Sequence, residues 1–426
     1  MTERPEHRRC LLFFPPERGA AQTPLFGLEA VERTLLAFRA AGVREFVLVG
    51  DDQAIRRAAD RLRSGSCARA RARITPGFAG GANADEPVLV ARADVYYDRG
   101  LVARFAEETR GRSECVVAVD RPEAGGDGVP QAWLHAGGGL RSAGHHLVGA
   151  DAVLVGLALA TASLARALAE AGGEARGFER ALARVAQREP VDTWRARELW
   201  QPLRDASDAP PARRKVLAGA VGLGDGIVAR HLNRRISRRI TERLVSRGIK
   251  PWQISVASFL GTLAAGFAFA MGHAATGGIL AQTASVLGCV DGEIARIRYQ
   301  DSPFGGVYDA LLDRVGDAAL IGGMTLYAWL MGAGHSVVAI GFAALAGSSL
   351  SMLVKEKYGT QFQRPYSVEH EGRWGWLLLG RDGRLFLALV AGLTGHVEAV
   401  LAYLAVGTHV HAGVRIYRIR AEAARA

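Results

Sequence analysis

Cysteine is scarce in this chain, with four residues in 426: Cys10, Cys67, Cys115 and Cys289. Their spacing matches neither a zinc site nor a disulfide framework, so we expect reduced, structural thiols. The opening MTERPEHRRC is followed by only a short apolar stretch, and we expect no secretory signal there. The sequence thus argues against a small disulfide-rich secreted domain and against a cysteine-ligated metal centre.

Charged and apolar residues are both abundant, and they lie in different halves of the chain. Apolar residues make up 49% and charged residues 22%, with a formal net charge of +11. A chain of 426 residues fits two or three domains. The first half is rich in Arg, Asp and Glu, whereas the second half holds long apolar runs. Because the basic residues cluster beside those runs, we expect a membrane surface as partner and no nucleic acid.

Six candidate membrane spans follow one another in the second half. A helix needs about 20 residues to cross a bilayer, and the second segment and the last two are short for that. Small residues recur within them, as in SFLGTLAAGFAFAMG, which suits helices that pack closely in lipid. A soluble all-helical core is the alternative. The predicted spans are 254–272, 275–291, 305–331, 336–354, 384–395 and 398–414.

The loops between these spans alternate in charge. GHAAT, MGAGH and GLTGHVE contain no Lys or Arg, whereas the opposite connections contain several. Basic loops stay in the cytoplasm, so we predict a multi-pass protein of the cell membrane with both termini cytoplasmic. In the arginine-rich segment 225–249, apolar residues recur at helical spacing. This pattern predicts an amphipathic helix on the cytoplasmic membrane surface.

An acidic stretch, CVDGEIARIRYQDSPFGGVYDALLDRVGD, interrupts the apolar half at residues 289–317. Asp309 and Asp313 are four residues apart and share one helix face, with Asp317 a turn deeper and Asp291 on the preceding helix. Carboxylates are costly in lipid unless they hold hard cations, for which Mg²⁺ or Mn²⁺ is the natural choice. Two such ions would clamp a pyrophosphate and leave one carboxylate to activate a hydroxyl.

The spacing of this stretch is similar to a family signature. Asp291-Gly292-x2-Ala295-Arg296-x8-Gly305-x3-Asp309-x3-Asp313 resembles the CDP-alcohol phosphotransferase motif at all seven positions. The resemblance implies a six-helix membrane enzyme that transfers a phosphoryl-alcohol from a CDP-alcohol to an acceptor hydroxyl and releases CMP. It also implies site roles: metal ligation by Asp291, Asp309 and Asp313, base catalysis by Asp313, and nucleotide binding by Gly292, Ala295, Arg296 and Gly305.

One family position differs in this chain. The family usually has a further aspartate three residues before the Asp-Gly pair, and this chain has Gly288 there. Glycines can serve where a phosphate or sugar comes close to the backbone. We therefore expect either a site with fewer carboxylates or a weakened or altered activity.

Four segments resemble one group within the family, the bifunctional inositol-1-phosphate cytidylyltransferases and di-myo-inositol-phosphate-phosphate synthases. The segments are GDGIVARHLNRRISRRI, VDGEIAR, KEKYGTQF and GRDGRLFL. This likeness implies CDP-inositol as donor, an inositol phosphate or a lipid alcohol as acceptor, and a homodimer. It also implies a cytoplasmic pocket for an anionic acceptor, with ordinary positive-inside charges as the alternative. The pocket residues would be Lys355, Lys357, Arg381 and Arg384.

The first half alternates strand-like and helix-like segments, which predicts an α/β domain. CLLFF, REFVLVG and PVLVARADVYY favour buried strands, and GLEAVERTLLAFRAAGV favours a helix. The order resembles nucleotidyltransferases of the sugar-nucleotide type, which implies metal-binding roles for Asp94 and Asp192. The loop PPERGAAQTPL lacks their glycines and lysine, with Arg18 as the candidate remnant of their catalytic arginine. We therefore expect no cytidylyltransferase activity from this domain.

The sequence predicts two domains with different roles. A degenerate nucleotidyltransferase-like α/β domain spans 1–203, a linker spans 204–217, and an all-α membrane domain spans 218–426. The predicted activity is metal-dependent transfer from a CDP-alcohol to an acceptor alcohol, in contact with membrane lipids. The alternatives are a full bifunctional enzyme that also makes CDP-inositol from CTP, and a non-catalytic membrane scaffold. A transporter is disfavoured because the polar groups gather at one face of the membrane.

Overall fold

The computed structural model divides the chain into two compact units, Met1–Gly219 and Ala220–Ala426. It describes residues 9–14, 20–50, 55–56, 58–60, 62, 73–76, 87–124, 128–171, 174, 176–197, 199–222, 224–362, 366 and 368–424. Three cysteines, Cys10, Cys115 and Cys289, are buried free thiols, as predicted. Burial raises the pKa of the Cys115 thiol to about 12, so this group stays protonated. Cys67 lies outside the described residues.

A mixed nine-stranded sheet forms the centre of the first unit. The strands of this unit are β1 (Arg9–Phe13), β2 (Pro24–Leu25), β3 (Leu28–Glu29), β4 (Glu45–Val49), β5 (Arg73–Pro76), β6 (Val88–Arg92), β7 (Val95–Tyr97), β8 (Cys115–Asp120), β9 (Gln131–Leu134), β10 (Leu140–Gly144), β11 (Ala152–Ala160), β12 (Val191–Arg195) and β13 (Trp200–Pro202). The main path runs β10–β9–β11–β6–β1–β4–β5, with β8 beside β11 and β12 beside β8.

Parallel pairing within this sheet explains its apolar strands. β1 pairs in parallel with β4 and β6, so these strands are covered on both faces and consist of near-continuous apolar runs. The helices of this unit are α1 (Ala30–Ala40), α2 (Arg99–Glu108), α3 (Ala162–Ala171), α4 (Gly177–Ala186) and α5 (Ala209–Gly219). The predicted α/β class is confirmed. Part of the segment predicted as a linker forms α5, in which Lys215 Nζ donates to Trp200 O at 2.6 Å.

The second unit is helical throughout its regular structure. Its helices are α6 (Arg234–Val245), α7 (Pro251–Ala270), α8 (Ala274–Ile297), α9 (Pro303–Leu330), α10 (Ser336–Phe362), α11 (Val368–Glu371), α12 (Arg381–Thr394) and α13 (Val397–Ala423). Each of the six predicted spans overlaps a helix of this unit. The start of α9 follows from its sequence, since the Ser302 hydroxyl accepts the Gly305 N–H at 3.0 Å and Pro303 fits the first turn.

Among the described residues, three helices are long and apolar enough to cross a membrane: α7, α10 and α13. Large apolar side chains on them point outward, including Phe267, Phe342 and Val406, which are 67–74% exposed. α8 and α9 carry the acidic stretch, and α12 has 14 residues, fewer than a bilayer needs. The prediction of a membrane protein is thus supported at the level of three candidate spans.

Small residues bring the helices of the second unit close together. A side chain at Gly323 of α9 would collide with the backbone of Gly266 on α7, and one at Gly392 of α12 would collide with Ala274 O on α8. Such contacts are typical of helices packed in lipid. They fix α7, α8, α9 and α12 against each other, and the charged residues of the acidic stretch lie on these helices.

Candidate active site

The aspartates of the acidic stretch lie on α8 and α9, beside the start of α12. Asp291 is 6% exposed, and its Oδ2 accepts a hydrogen bond from Ser255 Oγ of α7 at 2.7 Å. Asp313 Oδ1 lies 2.7 Å from Arg381 Nη2 at the first turn of α12. The guanidinium of Arg381 is within electrostatic reach of Asp291, Asp309, Asp313 and Asp317. Carboxylates and a guanidinium therefore form one cluster.

A second ion pair lies deeper on the same helix face. Asp317 Oδ2 accepts from Arg384 Nη2 at 2.6 Å, and Arg384 Nη1 also donates to Leu379 O at 3.0 Å. Both side chains are at most 5% exposed, so this pair is sealed from solvent. Arg314 Nη1 lies 3.6 Å from Asp317, and within the described part of the chain the Arg314 nitrogens have no hydrogen-bond partner.

Gly288 lies beside this cluster. A Cβ at this position would be 3.2 Å from Arg381 Nη1 and 3.5 Å from Ser258 Oγ. The guanidinium of Arg381 thus occupies the space next to the position where the family motif would lead one to expect a carboxylate. This neighbour could not be predicted from the sequence, because Gly288 and Arg381 are on helices far apart in the chain.

Of the residues predicted to bind the nucleotide, Arg296 contacts the start of the second unit. Arg296 Nε donates to Ala220 O at 2.6 Å, and its guanidinium lies over Gly292, where a Cβ would be about 3.0 Å away. Ala295 is half-buried, whereas Gly305 is exposed at the start of α9. The structure therefore places Gly292 and Arg296 together.

The segment before α6 is tied down by three side chains from other helices. Lys355 Nζ donates to Gly224 O at 2.9 Å, and Asp382 Oδ2 accepts the Ala229 N–H at 2.8 Å. With the bond from Arg296, these contacts hold Ala220, Gly224 and Ala229 against α8, α10 and α12. Of the four predicted acceptor residues, Lys355, Arg381 and Arg384 thus have protein partners, while Lys357 is exposed.

Sequence reasoning missed a buried network on the amphipathic helix. Arg234 forms a forked pair with Asp225 at 2.8 and 2.9 Å and a further bond to Glu293 Oε1 at 2.5 Å. Glu293, which is 1% exposed, also accepts from Ser237 and Thr241. This polar face of α6 packs on α8, while Leu232 and Ile236 of the predicted apolar stripe are exposed. The sequence signal for this network is Glu293 itself, an acidic residue in the middle of the apolar segment that contains VDGEIAR.

In the first unit, Asp94 is bonded to an arginine. Arg92 Nη2 and Nε donate to the two carboxylate oxygens of Asp94 at 2.6 and 2.9 Å, and Arg92 Nη1 donates to Glu179 Oε1 at 2.5 Å. All three side chains line a cavity of about 500 Å³ that also contains His145 and Arg176. The other oxygen of Glu179 is buried and has no hydrogen-bond partner among the described residues.

The structure separates Asp192 from Asp94. Asp192 of β12 pairs with Val116 of β8, and Val116 pairs with Leu159 of β11. Leu159 in turn pairs with Leu89, near the start of β6. Three strand spacings are about 14 Å, and Asp94 is beyond the opposite end of β6. Asp192 is half-exposed and faces Arg112 at 3.5 Å. The strand register thus places the two aspartates far apart, and their metal-binding roles stay a prediction. Arg18 lies outside the described residues.

Comparison with known proteins shows to which family this chain belongs. Residues 249–411 match the family described as CDP-alcohol phosphatidyltransferase. The protein named "Bifunctional IPC transferase and DIPP synthase" of Rubrobacter xylanophilus is 34% identical over 322 residues, which cover 74% of this chain and 71% of that protein. This chain belongs to the CDP-alcohol phosphatidyltransferase family. Both the predicted family and the predicted likeness to the bifunctional group are confirmed.

One further relative and one solved structure each match about half of this chain. The Aquifex aeolicus protein of the same name is 31% identical over 224 residues, or 52% of this chain, and the match spans only half of that relative's length. A solved inositol-1-phosphate CTP transferase from T. maritima aligns with a TM-score of 0.39 and 12% identity, over 50% of this chain and 97% of that one.

Members of this family are generally dependent on divalent metals, so we tested whether the cluster fits such ions. Asp291, Asp309 and Asp313 supply the oxygen ligands that Mg²⁺ and Mn²⁺ prefer. Within the described ranges, however, the structure forms no ready set of three His, Cys, Asp or Glu ligands. Arg381 lies among the aspartates and Gly288 offers no carboxylate. The donor set thus fits one hard cation by its chemistry and is short of ligands for two.

Proposed function

We propose that the second unit transfers a phosphoryl-alcohol group from a CDP-alcohol to the hydroxyl of an acceptor and releases CMP. The carrying observation is the grouping of Asp291, Asp309 and Asp313 on two adjacent helices next to Arg381. This grouping arises from the segment that carries the family motif. A non-catalytic scaffold would have no need for carboxylates that are so costly to hold in an apolar helix bundle.

The proposed reaction is an in-line displacement at the phosphorus that bears the alcohol. The acceptor oxygen forms a bond to this phosphorus, and the bond from the phosphorus to the bridging oxygen of CMP breaks. The bonding electrons leave with CMP, and the acceptor proton passes to a carboxylate oxygen of Asp313. Asp313 suits this role because its side chain is 13% exposed, whereas Asp317 is 5% exposed and bonded to Arg384.

Asp291, Asp309 and Asp313 would hold the Mg²⁺ or Mn²⁺ of this site. A bound divalent cation neutralises phosphate charge and so makes CMP a better leaving group. Ser255 orients Asp291 through its hydrogen bond, and Arg381 orients Asp313. Arg296 and Gly292 would contact the nucleotide, with Ala295 and Gly305 as the other members of the motif.

The relatives' names point to inositol chemistry, and we carry that over as part of this proposal. CDP-inositol would be the donor, and an inositol phosphate or a lipid alcohol the acceptor. Lys355 and Arg381 remain our candidates for an anionic acceptor. Arg381 lies in the cluster, and Lys355 is bonded to the segment that Asp382, the residue after Arg381, also holds. Lys357 is exposed and Arg384 is sealed, which makes them weaker candidates.

The membrane arrangement completes the proposal. α7, α8, α9, α10, α12 and α13 would all cross the membrane, with both termini in the cytoplasm and α6 on the inner surface. The exposed Leu232 and Ile236 would contact lipid. A homodimer is expected from the family likeness. Cysteine labelling of the loops from each side, and the mass of the detergent-solubilised protein, test these points.

The full bifunctional enzyme is the second candidate, favoured by the relatives' names alone. Geometry in the first unit opposes it, because Arg92 occupies both oxygens of Asp94 and Asp192 is distant. We therefore propose that this unit forms no CDP-alcohol and instead serves as a docking domain.

The decisive experiment supplies the full-length protein with labelled CDP-inositol, Mg²⁺ or Mn²⁺, and a panel of inositol phosphates and lipid alcohols. We expect CMP release and a labelled phosphodiester product with at least one acceptor. No CMP with any acceptor, from protein that is folded and monodisperse, would refute the proposed function.

A further inference from the structure

The arginine at the start of α12 faces an unusual set of neighbours. Arg381 Nη2 is bonded to Asp313, and Nη1 lies where a side chain at position 288 would point. The third nitrogen, Nε, is buried and has no hydrogen-bond partner within the described part of the chain. A guanidinium thus fills the space between α8 and α9 and keeps an unused donor.

The charges of the cluster suit a single divalent ion. Four carboxylates, Asp291, Asp309, Asp313 and Asp317, face the three guanidiniums of Arg314, Arg381 and Arg384. The balance is one net negative charge, whereas two divalent ions bring four positive charges into a site with few ligands. Adding a second ion beside Arg381 would place like charges close together in a poorly hydrated region.

We propose that Arg381 acts as a fixed cation in place of one metal ion, so that the second unit binds one divalent ion per chain. This inference rests on the proposed function. A guanidinium is suited to the task, because its planar donors pair with phosphate oxygens in two-point fashion and it stays charged. Arg381 would thus be one half of the phosphate clamp, and the metal held by Asp291, Asp309 and Asp313 the other half.

The neighbouring arginine pair shows what a purely structural contact looks like in this unit. Arg384 is 2% exposed, is bonded to Asp317 and also donates to a backbone carbonyl. The side chain of Arg381 is 20% exposed and that of Asp313 is 13% exposed. The Arg381 pair is therefore accessible to an incoming phosphate, which the Arg384 pair is not.

The number of bound Mn²⁺ ions tests the proposal directly. Full-length protein in nanodiscs is titrated with Mn²⁺ in the presence of CMP, and bound ions are counted by electron paramagnetic resonance. Only Mn²⁺ sites that are lost in the variant Asp309→Asn are counted, so that ions bound elsewhere on the protein are left out. We expect one site in the wild type and one in the control Arg373→Gln, which removes an exposed arginine outside the cluster. Two sites of similar affinity in the wild type would overturn the proposal.

Two variants separate the roles of Gly288 and Arg381. Gly288→Asp alone should still bind one Mn²⁺, because the new carboxylate meets the guanidinium of Arg381. Gly288→Asp combined with Arg381→Gln should bind two. A double variant that keeps the first site and gains no second one would contradict the proposal.

Activity variants distinguish a charge role from a structural one. Arg381→Lys retains the positive charge and should keep at least tenfold more CMP release than Arg381→Gln. Equal activities of these two variants would count against a phosphate-clamping role. If the wild type binds one Mn²⁺ but releases no CMP, the proposed function fails and only the count of one ion per chain stands. If the wild type releases CMP with two Mn²⁺ bound, the proposed function stands and the inference about Arg381 fails.

Discussion

Both units of this chain pair an arginine with an aspartate that the sequence assigns to a metal. In the first unit, Arg92 binds both oxygens of Asp94 and also binds Glu179, and the partner aspartate is strands away. In the second unit, Arg381 is bonded to Asp313 while Asp291 and Asp309 remain. The difference shows that an arginine can bind both oxygens of a predicted metal ligand in one unit and yet leave other carboxylates for chemistry in the second.

The surroundings of each arginine explain this outcome. Arg92 is bridged between two carboxylates that are at most 4% exposed, so its charge is fully used within the protein. Arg381 faces more negative charge than it can neutralise and lies next to a glycine. In the first unit both acidic groups, Asp94 and Glu179, are bonded to Arg92, whereas in the second unit the ion pair of Arg381 is with Asp313.

The largest expected effect comes from removing the base in the second unit. Asp313→Asn should reduce CMP release by about 10² to 10⁴, since general-base catalysis contributes on this scale. The protein should still insert and fold, because the amide is isosteric. CMP release is measured against wild type at saturating CDP-inositol. Asp94→Asn in the first unit is the matched control and should leave the rate of CMP release unchanged. An undiminished rate in Asp313→Asn would contradict the assignment of Asp313 as the base.

A smaller effect concerns the network that anchors α6. Glu293→Gln removes the charge that pairs with Arg234 and leaves that guanidinium partly uncompensated in a buried position. Breaking a buried ion pair from one side costs about 3 to 5 kcal/mol. We expect a clear fall in the unfolding temperature of the detergent-solubilised protein. Glu356→Gln, at an exposed position on α10, provides the control, and a similar melting temperature for both variants would argue against the network's role.

The smallest effect separates two lysines that the sequence treats alike. Lys355→Gln loses the bond to Gly224 O and should raise the KM for an anionic acceptor severalfold. Lys357→Gln, at an exposed position two residues further along α10, should change the KM for the acceptor less than twofold. Equal KM values for the two variants would mean that Lys355 does not help to form the acceptor pocket.

Much of the fold could be predicted because its signals are local. Apolar runs of strand or helix length predicted β1, β4 and β6 and the six helices at the predicted spans. Ser302 with Pro303 explains the start of α9. The i, i+4 spacing of Asp309 and Asp313 placed them on one face without knowledge of the fold.

The remaining features depend on contacts between distant parts of the chain. Arg381 lies beside Gly288 only because α12 packs on α8, and nothing near either residue in the sequence indicates this. Asp94 and Asp192 both lie in or next to a strand-like segment of the sequence, but the order of the strands in the sheet decides which acidic residues meet. The buried polar face of α6 was hidden by its more obvious apolar stripe.

The most direct test of the account measures both activities in one sample of full-length protein. CMP release from CDP-inositol with an acceptor reports on the second unit, and pyrophosphate release from CTP with inositol phosphate reports on the first. The account predicts CMP release that requires a divalent cation and Asp313, with no pyrophosphate above background. Pyrophosphate release that depends on Asp94, or an absence of CMP under every condition, would contradict it.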